Sequence, residues 1–197
     1  MGIDHGAPRP VINMDVNKSE NRRKRRSTIA GVLALVWMCI IFAFSAQTQE
    51  ESSAVSEGIS YRIVSATGTL LRLHIDEERL REIADAIEHF VRKGAHMTEY
   101  AILAILIHLW LGRWQISRFR ASGIAAALAI LYACSDEFHQ LFVAGRAGMV
   151  SDVLVDSAGA VLGLALFLCV RKVRVKDVSL FRGAVTDTGQ KNYHNGK

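Results

Sequence analysis

The sequence predicts an all-α integral membrane protein: a four-helix bundle with an extracytoplasmic amphipathic helical segment between the first and second spans. Three observations carry this. Half of the 197 residues are hydrophobic, yet mean hydropathy is only +0.19, so long uncharged runs alternate with densely charged ones. Four of the runs approach the roughly 20 residues that cross ~30 Å of hydrocarbon at 1.5 Å per residue. The basic residues collect in three segments that four crossings place on one side, as cytoplasmic loops require. The same composition excludes a disordered chain, because the apolar surface to bury is ample. Three Cys exclude a disulfide scaffold.

In chain order, residues 1–27 form a basic tail with seven Lys and Arg, five of them in the run Arg22 to Arg26. That run fits topology setting, with anionic lipid as an additional contact. The first span, 28–46, carries no charge. A signal peptide also has a basic start, but its apolar core is only about 7–15 residues long, so a retained span is expected. The outer segment, 47–93, holds nine acids, six bases and no Pro. Within it Val55, Ile59 and Ile63 share a helical face. Asp76 then reads as an N-cap, with Ile75 and Leu80 placed as a hydrophobic staple. Leu80, Ile83, Ala84, Ile87, Phe90 and Val91 continue an apolar stripe that suits a helix lying on the leaflet or against the bundle.

The second span, 94–112, is apolar apart from His96, Glu99, His108 and a few uncharged polar groups. The loop 113–120 has three Arg and no acid, with Trp110 and Trp114 at the interface beside it. The third span, 121–143, ends in a polar cluster, and the fourth, 153–170, contains one acid, Asp156. A basic tail, 171–197, follows, and its polar composition suits disorder. Residues 28–170 thus form the membrane domain, with both termini cytoplasmic. Cys39, Cys134 and Cys169 lie within spans and lack zinc-type spacing, so they read as packing residues.

This topology brings sequence-distant polar groups to the outer end of the bundle. His96, Glu99 and Tyr100 open the second span. Asp136, Glu137, His139 and Gln140 close the third, and Asp152 and Asp156 open the fourth. Each set has helical spacing, so each shares a face. An ionisable group in a span costs at least ~2.5 kcal/mol at mid-membrane, so such groups face inward, pair, or line a wet cavity. Arg92, Lys93 and Arg146 are the available bases. Three chemistries suit the layer. Arg92, Lys93 and Arg146 can grip a phosphate or carboxylate. His96, Glu99, Asp136, His139 and Asp152 are candidate ligands for a divalent metal that activates water. Paired carboxylates can relay protons. The structural alternative is that these groups hydrogen-bond helix to helix, at roughly 0.6–2 kcal/mol each. Gly159 and Gly163 read as close-packing positions.

At these residues the chain resembles the VanZ-like family of bacterial membrane proteins. Ser45-Ala-Gln47 ends the first span where the family often has Ser-Ser-Gln. Arg92-Lys93-Gly-Ala-His96-Met-Thr-Glu99-Tyr100 resembles its second-span motif. Asp136-Glu137-Phe-His139-Gln140 with Gly145-Arg146 resembles the third, and Asp152-Val-Leu-Val-Asp156-Ser-Ala-Gly159 with Gly163 the fourth. The likeness covers about residues 30–170. One departure is Ala144, where the family often has Pro before Gly-Arg, which implies a less rigid loop carrying Arg146.

The resemblance implies a protein of the bacterial cytoplasmic membrane. The family's founding member is associated with low-level resistance to the glycopeptide teicoplanin. The expected role is in the cell envelope, through contact with a lipid-linked wall intermediate or an envelope partner. Arg92, Lys93 and Arg146 would contact anionic groups there, and His96, Glu99, Asp136, Glu137, Gln140 and Asp152 would form or orient the site. Two alternatives stay open: a metal-dependent or acid–base hydrolase or transferase acting on a lipid headgroup, and a structural or interaction protein. Membrane lipids are expected partners, nucleic acid is not, and no cofactor is indicated.

Overall fold

The computed structural model describes residues 11–194, with side chains described from 16 to 173. It contains five α-helices and, among the described residues, no strand. They are α1 (Val11–Ser45), α2 (Gln49–Leu70), α3 (Glu77–Leu111), α4 (Arg118–Gln140) and α5 (Val150–His194), with a 3-10 turn at Gly112–Trp114. Four helical stretches are long and apolar enough to cross a membrane: Val16–Ser45, Glu77–Trp114, Arg118–Gln140 and Val150–Val173. The protein is therefore an all-α, multi-pass membrane bundle. Val32, Leu35, Leu131, Leu154 and Leu166 stay exposed around it, as side chains that meet acyl chains do.

Helix α3 is the centre of the fold, and all four other helices pack on it. Each buried face is a run of small or branched residues at helical spacing. On α4 it is Ala121, Ala125, Ala129 and Ala133, all nearly inaccessible. On α5 it is Ala160 and Leu164 with Gly159 and Gly163. A Cβ at Gly159 would collide with the Met97 backbone, and one at Gly163 would lie 2.5 Å from Ala101 Cβ. These glycines let α5 approach α3 closely, as small residues do in membranes. At the end marked by Trp110 and Trp114, Ser27 donates to the Trp110 carbonyl. There His108 is buried, 3.2 Å from Ser122 Oγ through Nδ1 and edge-on to Phe167.

Four local expectations change. The amphipathic segment and the second span are one unbroken helix, α3, because no proline interrupts residues 77–111; the break at Arg92-Lys93 is in hydropathy alone. Helix α4 stops at Gln140, short of Val143, where 3-10-type bonds from Phe142 N to His139 O and from Val143 N to Gln140 O close the last turn. Helix α2 packs on α3 through Ser56, Ser60, Val64 and Gly68, and leaves the stripe Val55, Ile59 and Ile63 exposed. Small residues set that choice, since they admit close approach and let Ser56 Oγ reach Glu88 Oε1 at 2.5 Å. Helix α5 runs on to His194, through the segment read as a polar tail. Arg9 of the N-terminal tail and residues 195–197 lie outside the described residues.

Both helices of the α2–α3 hairpin have satisfied N-termini. Thr48 and Glu51 form a capping box on α2. The Asp76 carboxylate accepts from Arg79 N at 2.8 Å on α3. Ser53 faces Arg92, Ser56 faces Glu88 and Tyr61 faces Glu77, so α2 runs antiparallel to the first half of α3.

Candidate functional site

The apolar buried faces all end in polar groups at the same end of the bundle. The alanine face of α4 continues, one helical step at a time, into Asp136, Glu137 and Gln140, all buried. The α5 face ends in Asp156, which is 2% exposed. The α3 face carries Tyr100, 0% exposed, with His96 and Lys93 on the preceding turns. The α1 face ends in buried Ser45. Packing of the small residues is what turns these groups inward. From Lys93 to Leu111, α3 rises about 27 Å at 1.5 Å per residue. That nearly matches the ~30 Å of hydrocarbon, so the polar end lies at one membrane boundary and the Trp pair at the other.

A cavity of about 280 Å³ opens here. Helix α3 supplies Arg92, Lys93 and His96 to its wall; α4 supplies Glu137 and Gln140; the α4–α5 loop supplies Arg146; α5 supplies Asp152 and Asp156. Gln49 and His89 also line it, and neither was a sequence candidate. Helix phase could have found His89, which lies one turn before Lys93. The capping box would have placed Gln49 at the start of α2.

Glu99, Tyr100, Asp136 and His139 do not line the cavity. The Ser45 and Tyr100 hydroxyls lie beside Asp136. His139 turns toward α1, its ring centroid 4.5 Å from that of Phe42. His96 Nδ1 is 3.5 Å from Glu99 Oε2. The five candidate metal ligands are thus not gathered: among the described residues no three His, Cys, Asp or Glu side chains come together as a metal would need.

The cations differ in how they are held. Arg92 donates to Glu88 Oε2 at 3.0 Å and to Ser53 Oγ at 3.4 Å. Lys93 Nζ lies 3.5 Å from Asp152 Oδ1. Arg146 has only neutral partners: Nε donates to the Gln47 carbonyl at 3.2 Å and Nη1 to Gln140 Oε1 at 3.4 Å. Among the described residues no carboxylate lies within ion-pair distance of it. Burial, and after it the nearby Arg92 charge, lower the Arg146 pKa from its ordinary value. The guanidinium nevertheless keeps its proton, since arginine does not deprotonate in proteins.

The loop that carries Arg146 is fixed despite Ala144. Gln49 N donates to the Ala144 carbonyl at 3.4 Å. Gly145 adopts φ +73°, a left-handed value that costs glycine nothing. Glu137 Oε2 accepts from Met149 N at 3.0 Å, which anchors the far end of the loop.

A family model described as VanZ/LLP1 matches residues 30–171. The chain belongs to the VanZ/LLP1 family. No curated protein and no solved structure shows a match to it. The VanZ/LLP1 region takes in every residue of the cavity wall, Gln49 and His89 included. It leaves out the basic start of α1 and the extension of α5.

Proposed function

We propose that this VanZ/LLP1 protein works in the bacterial cell envelope, where its pocket receives the anionic group of a lipid-linked wall intermediate. The observation that carries the reading is Arg146: a half-buried guanidinium on the wall of a cavity, held by neutral oxygens and, among the described residues, with no carboxylate within ion-pair distance. With Nε and Nη1 each engaged once, the guanidinium keeps both Nη2 donors and the second Nη1 donor for phosphate. The cavity size supports a headgroup as ligand. About 280 Å³ lies just below the ~300–1,000 Å³ range of small-molecule sites, too little for a whole lipid or a glycopeptide.

Orientation follows from the charges. Residues 1–27, 113–120 and 171–197 hold most of the Lys and Arg, which supports cytoplasmic termini. The pocket then opens on the outer face of the cytoplasmic membrane, and altered susceptibility to teicoplanin would follow from contact with the wall precursor there.

Alanine substitution at Arg92, Arg146 and Asp152, with protein abundance and teicoplanin susceptibility measured on the same cells, tests this. The expected outcome is susceptibility equal to that of cells lacking the protein, at normal abundance. Unchanged susceptibility at normal abundance overturns the proposal. Loss of abundance alone favours a layer that only joins helices.

A second reading is an acid–base hydrolase or transferase acting on the same headgroup. Glu137 and Asp156 on the wall of one cavity favour it over a metal-dependent version. Release of a phosphorylated headgroup by purified protein, abolished in Asp156→Asn, is its test.

A further inference from the structure

The pocket is bipolar. Among the described residues Arg146 on its wall has no carboxylate within ion-pair distance, and Asp156 on the same wall has no base within that distance. Asp156 is 2% exposed, makes no hydrogen bond or ion pair among the described residues, and its Oδ1 is sealed from solvent. His96 shares the wall with it, and its Nδ1 lies 3.5 Å from Glu99 Oε2. Among the described residues three more buried oxygens make no hydrogen bond, Tyr100 Oη, Asp136 Oδ1 and Ser45 Oγ, the two hydroxyls lying beside Asp136.

Buried polar atoms are almost always paired, and an uncompensated buried carboxylate is among the costliest exceptions. An ionised carboxylate only accepts hydrogen bonds, and an ammonium offers three donors and no acceptor. A ligand that brings positive charge to Asp156 and negative charge to Arg146 satisfies both ends at once.

We propose that the ligand is a phosphate ester that also carries a primary ammonium group, with the phosphate at Arg146 and the ammonium at Asp156. This rests on the phosphate reading above and specifies the second half of the headgroup. Lys93 is engaged by Asp152 and Arg92 by Glu88, which leaves Arg146 as the phosphate anchor.

The experiment is equilibrium binding of short-chain phospholipids to the purified full-length protein in detergent. Dihexanoyl phosphatidylethanolamine should bind about tenfold more tightly than the phosphatidylglycerol analogue, the effect of one charge-assisted hydrogen bond partly offset by water. The choline analogue, which keeps the charge and lacks N–H donors, should fall between them. In Asp156→Asn the ethanolamine-to-glycerol ratio should approach one. These wild-type comparisons decide the matter even where that variant does not fold. Competition by water-soluble O-phosphoethanolamine at similar affinity identifies a free zwitterion as ligand; its failure to compete identifies a membrane headgroup. Equal wild-type affinity for the ethanolamine and glycerol lipids overturns the ammonium subsite and leaves the phosphate reading standing. Binding of neither lipid overturns both.

Discussion

Arg146 Nη1 donates to the side-chain oxygen of Gln140 at 3.4 Å, and this contact ties the α4–α5 loop to the last turn of α4. Gln140 also donates through Nε2 to Asp136 Oδ2 at 3.5 Å. A neutral amide thus stands between the guanidinium and the buried acid, so Arg146 is placed without being neutralised. Gln140→Glu should convert that arrangement into an ion pair. Phosphate affinity should then fall by about tenfold while the protein stays folded, readable by ligand titration beside a thermal melt.

Packing of α5 on α3 gives a second prediction. Gly159→Ala places a methyl against the Met97 backbone, which should cost about 1–3 kcal/mol as overpacking. Gly123→Ala, where nothing lies within 4 Å of the new Cβ, should be neutral or stabilising by up to ~1 kcal/mol from helix propensity. Denaturant unfolding of both variants in the same detergent measures the contrast.

The sequence encodes some features of this bundle directly and leaves others to packing. The four spans, the Asp76 cap and the inward polar ends were legible, because apolar length and helical spacing are encoded residue by residue. The face that α2 uses was not. Val55, Ile59 and Ile63 make the more apolar stripe, yet Ser56, Ser60 and Gly68 pack, because close approach between helices depends on size more than on hydrophobicity. The continuity of α3 was hidden for a related reason: Arg92-Lys93-Gly94 interrupts hydropathy but breaks no backbone bond. Glu99, Tyr100, Asp136 and His139 had the spacing of cavity residues and lie behind or beside the cavity. Spacing fixes a helix face, but distance from the cavity depends on how the helices lean together.

The α2–α3 hairpin gives a third prediction. Glu88 accepts from Ser56 and Arg92 together, with the Glu88 and Arg92 side chains 18% and 22% exposed. Glu88→Leu leaves Arg92 without its acid and should destabilise the hairpin by about 1–3 kcal/mol. Faster amide exchange in α2 with little change in α4 would report this.

The start of α2 should respond to pH. A backbone hydrogen bond from Thr48, then one from its hydroxyl, hold the Glu51 carboxyl below its ordinary pKa. A depressed folded value means the stabilisation is complete above the unfolded pKa and is lost as pH falls through the folded one. Amide protection in the first turn of α2 should therefore decline on acidification below the usual Glu range. Glu51→Gln should remove that pH dependence. Thr48→Ala should cost about 1 kcal/mol at neutral pH through the lost cap.

The central claim is that Arg146 binds phosphate, and calorimetric titration of purified full-length protein with dihexanoyl phosphatidate, wild type against Arg146→Gln, tests it most directly. The account predicts saturable binding that weakens at least about tenfold in the variant, with the melting temperature nearly unchanged. Equal affinity in the two proteins would contradict it.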